Sequence, residues 1–368
     1  MGDTRQPVTT SAAQSDAATR RVGEPRSARL LRLIAESPSA IIVTHDNPDP
    51  DAIASGWALH TLIRERLGLP VRLVAGGAVL RAENLLMVEL LKPPMELVNR
   101  LEVSGRPAAV LVDCSPHGIN HLLKDAQLQP LAVIDHHRPT RERIRVRFRD
   151  IRPSVAATAT IISQYFREQG LEPRPELATA LVYAMRTDMQ AAGGSFSRAD
   201  RQVMAWLMLR ADHEKLNAIE NAPLPQGYYA DLSLALQNTF IYDDVAICFL
   251  PRASGPEIIA EVADLLIRCQ GVCCVLCGAM VEDSVLFSAR AVDEKRDASA
   301  LMQRTLNGLG YGGGHRHRAG GRISTPDKPD RLTADLQATL KSRWLTACGV
   351  EPQRGSRLVP RCEILEHL

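Results

Sequence analysis

Leu131-Ala132-Val133-Ile134-Asp135-His136-His137 is a short apolar run that stops at three metal-capable side chains. A run of this length and β-branched content reads as a buried strand. Side chains at strand ends are where open α/β sheets bind ligands. Three other segments share the design of an apolar stretch followed at once by metal-ligand residues. They are Ile41-Ile42-Val43-Thr44-His45-Asp46-Asn47-Pro48-Asp49-Pro50-Asp51-Ala52, Val110-Leu111-Val112-Asp113-Cys114-Ser115, and Leu181 to Asp188, in which Thr187-Asp188 falls at a helix end.

The pattern around these segments alternates. Ser27 to Ser37 is helical in period, and Ala40 to Val43 is a strand. Ser55 to Leu67 is a helix stopped by Gly68. Val71 to Ala75, Ala108 to Val112 and Leu131 to Ile134 are further strands. Strands alternating with helices predict a parallel sheet with helices on both faces. Helical periods continue over 156–166, 175–185, 197–209 and 213–219, until Asn221 to Gly227 breaks the chain. Beyond it, strands over 243–251, 271–280, 284–292 and 321–323 mix with helices over 256–268, 298–306 and 332–345. This predicts a smaller, mixed α/β domain.

Bulk composition bounds the function. A chain of 368 residues, 45% apolar and 23% charged, has room for two globular domains. The net charge of +2 argues neither for nor against a polyanionic partner, although a protein that coats long nucleic acid usually carries a stronger basic bias; substrate phosphates have to be held locally. No apolar run is long enough to span a bilayer, and the polar residues 1–28 do not form a secretory signal. Eight cysteines do not make a disulfide scaffold. Cys273, Cys274 and Cys277 fall on a predicted buried strand as small core residues, and a reducing cytoplasm fits.

Phosphoester hydrolysis needs a nucleophile at neutral pH and relief of negative charge on phosphorus. A pair of divalent cations about 4 Å apart supplies both, and it needs carboxylate and imidazole ligands. Mixed Asp/His ligation suits Mn²⁺, with Mg²⁺ or Co²⁺ also possible ions. Asp49 and Asp51, two apart around Pro50, are spaced so that each can serve a different ion from an extended loop. Each segment alone has an ordinary explanation: Asp after a strand caps turns and helices, and Asp51 is a candidate helix cap. Four such ends in one α/β domain are a stronger signal than any one of them.

The four segments together resemble the motifs of the DHH phosphoesterase superfamily, named for Asp135-His136-His137. Gly312-Gly313-Gly314-His315 with Ala319-Gly320-Gly321 is similar to the glycine-histidine motif of the DHHA1 substrate domain. The resemblance implies a tail over 1–27, a DHH catalytic domain over 28–220, a linker over 221–240, a DHHA1 domain over 241–348 and a second tail over 349–368. It implies His45, Asp49, Asp113 and Asp188 around one metal. Asp51, Asp113 and His136 surround the other, with Asp113 as the bridge and Asp135 as support. His137, Arg290, Gly313, Gly314 and His315 are the implied substrate contacts. Glycines let backbone N–H groups approach a phosphate, and a guanidinium binds one bidentately. Two departures stand out. Pro50 stands where glycine is frequent, and Arg318 makes His315-Arg316-His317-Arg318 unusually cationic, either as added phosphate contacts or as a solvated basic loop.

The branch most similar is the one with nanoRNase and 3′-phosphoadenosine 5′-phosphate phosphatase activities. It implies in-line attack by a hydroxide that two metal ions activate, on short RNA or a nucleotide phosphate. Homodimerisation is compatible, and no membrane is involved. Rival readings are a cyclic- or linear-dinucleotide phosphodiesterase, a RecJ-like single-strand exonuclease, and a catalytically inactive nucleotide-binding regulatory module.

Overall fold

The structure is a computed structural model. It describes residues 24–118, 120–124, 126, 128–137, 145–191, 196–293, 295–314, 316–324, 331–351 and 355–360. The chain divides into two compact units, one of residues up to 77 together with 93–212, the other of 78–92 together with 213–368.

The first unit is built on a six-stranded, wholly parallel sheet. Its strands are β1 (Ala40–Val43), β2 (Val71–Ala75), β3 (Met95–Leu97), β4 (Ala108–Val112), β5 (Ala132–Asp135) and β6 (Phe148–Ile151), in the order β3-β2-β1-β4-β5-β6. All residues of β1, β4 and β5 are buried, as expected of strands covered on both faces. The order reverses between β1 and β4, which opens a crevice at their carboxyl ends. The helices of this unit are α1 (Arg26–Ile34), α2 (Pro50–Leu67), α4 (Thr158–Glu168), α5 (Pro175–Ala191) and α6 (Arg198–Met208). α3 (Ala82–Leu91) belongs to the second unit.

Helix α2 starts at Pro50, not near Ser55. Asp49 is its N-cap and accepts from the Ala52 N–H at 3.0 Å, and Pro50 sits where a helix tolerates proline. Asp49 and Asp51 are therefore rigidly spaced by a helix start, not by an extended loop. Strands β3 and β6 are short sheet edges whose sequences, Met-Glu-Leu and Phe-Arg-Asp-Ile, carry little strand signal.

The second unit carries a seven-stranded mixed sheet of order β11-β12-β10-β9-β8-β7-β13. Its strands are β7 (Thr239–Tyr242), β8 (Val245–Leu250), β9 (Cys274–Val281), β10 (Ser284–Ala291), β11 (Tyr311–Gly314), β12 (Arg318–Ser324) and β13 (Ser356–Arg357). Its helices, besides α3, are α7 (His213–Glu220), α8 (Gln226–Gln237), α9 (Glu257–Leu266), α10 (Ala298–Leu306) and α11 (Ala334–Cys348). Ala235 of α8 and Ile258, Ile259 and Val262 of α9 pack on one face with Cys248 and Cys277. Leu301 and Met302 of α10 and Trp344 of α11 pack on the other. The stretch read as a linker thus contains α8, and the tail contributes Ser356–Arg357 as an added strand beside β7. The glycine run at 312–314 is part of a sheet-edge strand. No helix among the described residues is long and apolar enough to cross a membrane.

Asp200 ties the first unit together. It is fully buried and closes a capping box with Ser197 at the start of α6. It also accepts from the Ala156 N–H and, at 2.7 Å, from the Thr160 hydroxyl, which fixes the start of α4. Replacing Asp200 by Ala leaves several buried donors without an acceptor. A loss of about 3 kcal/mol is expected, read as a lower urea midpoint in the intact chain; an unchanged midpoint would contradict this role.

Candidate metal centre

Residues that follow β1, β4 and β5 meet at the crevice. Asp113, the first residue past β4, is 2% exposed. Its backbone is left-handed, with φ of 59°, a conformation that Asp tolerates better than most side chains but that is strained. Its N–H donates to the Ile134 carbonyl at 2.9 Å, which locks the end of β4 to β5. Glycines hold the loop after β1. At Gly76 a Cβ would collide with the Asp46 carboxylate, and Gly77, at φ of 73°, lies against Asn47.

Three groups of donors, each within ligating reach, overlap here: His45 with Asp49 and Asp113, Asp51 with His136 and Asp188, and Asp113 with His136 and His137. His45 Nε2 lies 3.7 Å from Asp49 Oδ1 and 3.6 Å from Asp113 Oδ2. His136 Nε2 lies 3.6 Å from both Asp113 Oδ1 and Asp188 Oδ2, and 3.9 Å from Asp51 Oδ2. These separations are too long for hydrogen bonds. They are slightly wider than the ~3.0–3.5 Å between neighbouring ligands of one ion bound at about 2.1 Å.

The donor set fits divalent cations in its protonation as well. His45 Nδ1 lies 3.0 Å from the Asp46 carbonyl, to which it can only donate, so the Nε2 of a neutral His45 presents its lone pair to Asp49 and Asp113. Burial lowers the His136 imidazole below its ordinary value, with Asp113 only partly offsetting this. A neutral imidazole is the ligating form. Both oxygens of the fully buried Asp51 accept from the start of α4, from the Thr158 N–H at 2.6 Å and the Ala159 N–H at 2.8 Å. The Thr158 hydroxyl donates to Asp113 Oδ1 at 2.8 Å.

His45, Asp49, Asp51, Asp113, His136 and Asp188 are thus brought together. The partition differs from the one the resemblance implies. Asp188, in the last turns of α5, stands with Asp51 and His136 rather than with His45 and Asp49. His137 donates from Nδ1 to Asp135 Oδ1 at 2.7 Å. Burial lowers the His137 imidazole, but Asp135 and the charge of Asp113 outweigh it and raise it to about 9. Thr158 is the site residue that the sequence reading missed. Its only signal is a hydroxyl at the start of an apolar helix.

Of the implied substrate contacts, His137 lies in the first unit and the others in the second. Arg290 is buried, with Nε on Asp264 Oδ1 at 2.5 Å and NH1 on Ser288 Oγ at 2.7 Å and on the Ala289 carbonyl. Its NH2 reaches the Ala260 carbonyl. As placed, the guanidinium is engaged within its own sheet and α9, not open to a phosphate. Gly313 and Gly314 lie on β11, and His315 is outside the described residues.

Burial alone lowers the His45 imidazole, but its pairing with Asp113 and Asp49 outweighs this and raises it well above the ordinary value. Burial and the charge of Asp113 push the Asp51 carboxyl well up. Both shifts favour the protonated forms when no cation is bound, so a cation has to compete with protons at these groups. Mn²⁺ affinity should rise with pH across the neutral range and fall in acid. Calorimetry at pH 7 in buffers of different ionisation heat should show release of about one proton or more, reduced in His45→Ala. Binding without proton release would contradict this assignment.

A profile of the DHH family, N-terminal domain, matches residues 39–185. An uncharacterized protein of Methanocaldococcus jannaschii, MJ1633, is 29% identical over 339 residues, 90% of this chain and 69% of that protein. A probable manganese-dependent inorganic pyrophosphatase of Streptococcus pyogenes is 24% identical over 149 residues, which span 40% of this chain and less than half, 47%, of the relative. Among solved structures, an exopolyphosphatase-related protein from Bacteroides fragilis superposes with a TM-score of 0.68 at 15% identity, over 87% of this chain and 96% of the other. RecJ from Thermus thermophilus, in complex with Mn²⁺, gives 0.50 at 15% identity over 88% and 54%. These two share the fold. The family profile thus falls on the first unit: residues 39–185, which include His45, Asp49, Asp51, Asp113 and His136 of the crevice, match the DHH family, N-terminal domain.

Proposed function

We propose that this protein is a metal-dependent phosphoesterase that hydrolyses short oligonucleotides, 3′-phosphoadenosine 5′-phosphate, or both. The observation that carries the reading is Asp113, whose two oxygens face His45 on one side and His136 on the other. Two divalent cations, Mn²⁺ foremost and Mg²⁺ or Co²⁺ after it, would supply a hydroxide at neutral pH and neutralise the phosphoryl charge. His45 and Asp49 would hold one ion, Asp51, His136 and Asp188 the other, and Asp113 both. Thr158 orients Asp113 and Asp51, and Asp135 orients His137 beside them.

No protein nucleophile is required. Burial and the charge of Asp135 push the neighbouring Cys114 thiol well up, so it is a poor nucleophile, and it lies against the Val43 carbonyl. The small net charge of +2 supports short substrates over long polymers. The similarity to a probable manganese-dependent inorganic pyrophosphatase supports manganese and makes inorganic pyrophosphate the first competing substrate to test. Cyclic or linear dinucleotides and long single-stranded DNA are the substrates that a dinucleotide phosphodiesterase or a single-strand exonuclease would prefer.

The test is a Mn²⁺ activity panel of very short RNAs, 3′-phosphoadenosine 5′-phosphate, cyclic di-AMP, pyrophosphate and long single-stranded DNA. Short RNA or 3′-phosphoadenosine 5′-phosphate should turn over fastest, and Asp113→Ala should lower the rate by at least about a hundredfold. A strong preference for long DNA or pyrophosphate would overturn the substrate reading. Absence of any hydrolysis would leave an inactive binding module as the better account.

A further inference from the structure

The first unit carries a charged surface that the metal chemistry does not use. It lies at the β6 edge of the parallel sheet, towards the amino ends of the strands, whereas the crevice is at their carboxyl ends. Arg26, Arg29 and Arg32 recur at every third position of α1, which sets them along one side of the helix. Arg145, Arg147 and Arg149 alternate in the run that enters β6, with the arginines exposed and Phe148 and Asp150 buried between and after them. Two contacts lay these rows side by side in opposite senses. Arg26 NH1 donates to the Arg149 carbonyl at 3.3 Å, and Arg29 NH2 to the Arg147 carbonyl at 3.5 Å.

Carboxylates balance only part of this charge. Arg26 pairs with Asp150 at 3.1 Å, Arg32 with Glu24 at 3.1 Å and Arg147 with Glu36 at 2.6 Å, yet these three side chains stay 56%, 61% and 55% exposed. Asp150 is buried and is shared with Arg152. Arg29, Arg145 and Arg149 are exposed and form no ion pair among the described residues. The local positive excess is therefore larger than the net +2 of the whole chain, whose near-neutral total conceals a basic stripe.

Two kinds of partner fit this stripe poorly. A peptide strand that extends the sheet needs the outward carbonyls along the β6 edge, and the arginines of α1 already occupy those of Arg147 and Arg149. A helix that lies on a lipid surface inserts apolar side chains, but Leu30, Leu31, Leu33 and Ile34 of α1 are all buried. A phosphodiester strand fits better. No lysine occurs in 24–36 or 145–152, and the planar guanidinium of arginine matches a phosphate with paired N–H donors. Successive arginines of the β6 row are about 6–7 Å apart. The stripe is on the order of 9–13 Å long, which gives room for about two or three phosphates of an extended strand.

We propose that α1 and the β6 edge form a secondary binding surface for single-stranded nucleic acid, which Arg29, Arg145 and Arg149 hold by its phosphates, with Arg26, Arg32 and Arg147 beside them. Phosphate contacts carry no sequence information, so binding here is independent of base sequence. The surface is separate from the metal centre and does not depend on hydrolysis. It gives the protein a long partner that it holds and need not cut, distinct from the short substrate of the crevice.

The test uses the full chain in EDTA, so that binding is read without hydrolysis, and fluorescence anisotropy of end-labelled uridine and adenosine oligomers of about 20 nucleotides. Both oligomers should bind alike at low salt. The triple variant Arg29→Ala, Arg145→Ala, Arg149→Ala should bind at least about tenfold more weakly, and its log-log dependence on salt should be shallower by about two. The same three positions changed to Lys, which keeps the charges, should restore most of the binding. The inference is overturned if neither oligomer binds at low salt, or if the alanine variant binds as the wild type does. It is equally overturned if polyglutamate or phosphatidylserine vesicles at matched charge displace the RNA as well as unlabelled RNA does, since the partner would then be an acidic protein or a membrane. Because EDTA removes the cations, failure here leaves the phosphoesterase reading untouched, and failure of the activity panel leaves this surface untouched.

Discussion

The first unit is organised around one carboxylate held in a strained place. Asp113 ends β4 with a left-handed backbone and is hydrogen-bonded through its N–H to β5. That bend turns a strand-end side chain into the crevice where the sheet order reverses. There it is nearly buried, and its negative charge acts on His45, Asp51, His136 and His137. It pushes Asp51 up, helps hold the proton on His45 and raises His137. Carboxylates packed this closely repel one another, and the arrangement is compensated by cations or by protons. In the absence of cations the protons do so, which is why metal occupancy and pH are coupled in this site.

The support beneath Asp113 is a relay of hydrogen bonds anchored in helix starts. Asp200 at the start of α6 fixes the segment before α4. The first residues of α4 then hold both oxygens of Asp51 and one of Asp113. Backbone N–H groups at a helix start favour negative charge, so the start of α4 stabilises the carboxylates it holds. Asp49 caps α2. The ligands are thus set by the ends of rigid elements rather than by loops.

Much of this was legible in the sequence because ligands that follow apolar strand runs advertise themselves. His45, Asp49, Asp51, Asp113, His136 and Asp188 all sit at the end of such a run or of a helix, and the structure gathers all six. Which of them face one another was not legible. Asp188 stands with His136 because of how α5 passes the crevice, a tertiary fact with no local signature. Thr158 and Asp200 act through hydrogen bonds between elements far apart in sequence, and their residue types are ordinary. In the second unit the glycines at 312–314 carry no strand signal in their composition, and it is pairing with β12 that makes them an edge strand. Arg290 read as a phosphate ligand from its motif. Its burial against Asp264 depends on α9, which the motif does not contain.

The central claim is that Asp113 joins two cations into one centre. Electron paramagnetic resonance of the protein titrated with Mn²⁺ tests it most directly, because ions that share a carboxylate couple magnetically and isolated ions do not. The account predicts two Mn²⁺ per chain with the spectrum of an exchange-coupled pair. A single ion at saturation, or two that remain uncoupled, would contradict it.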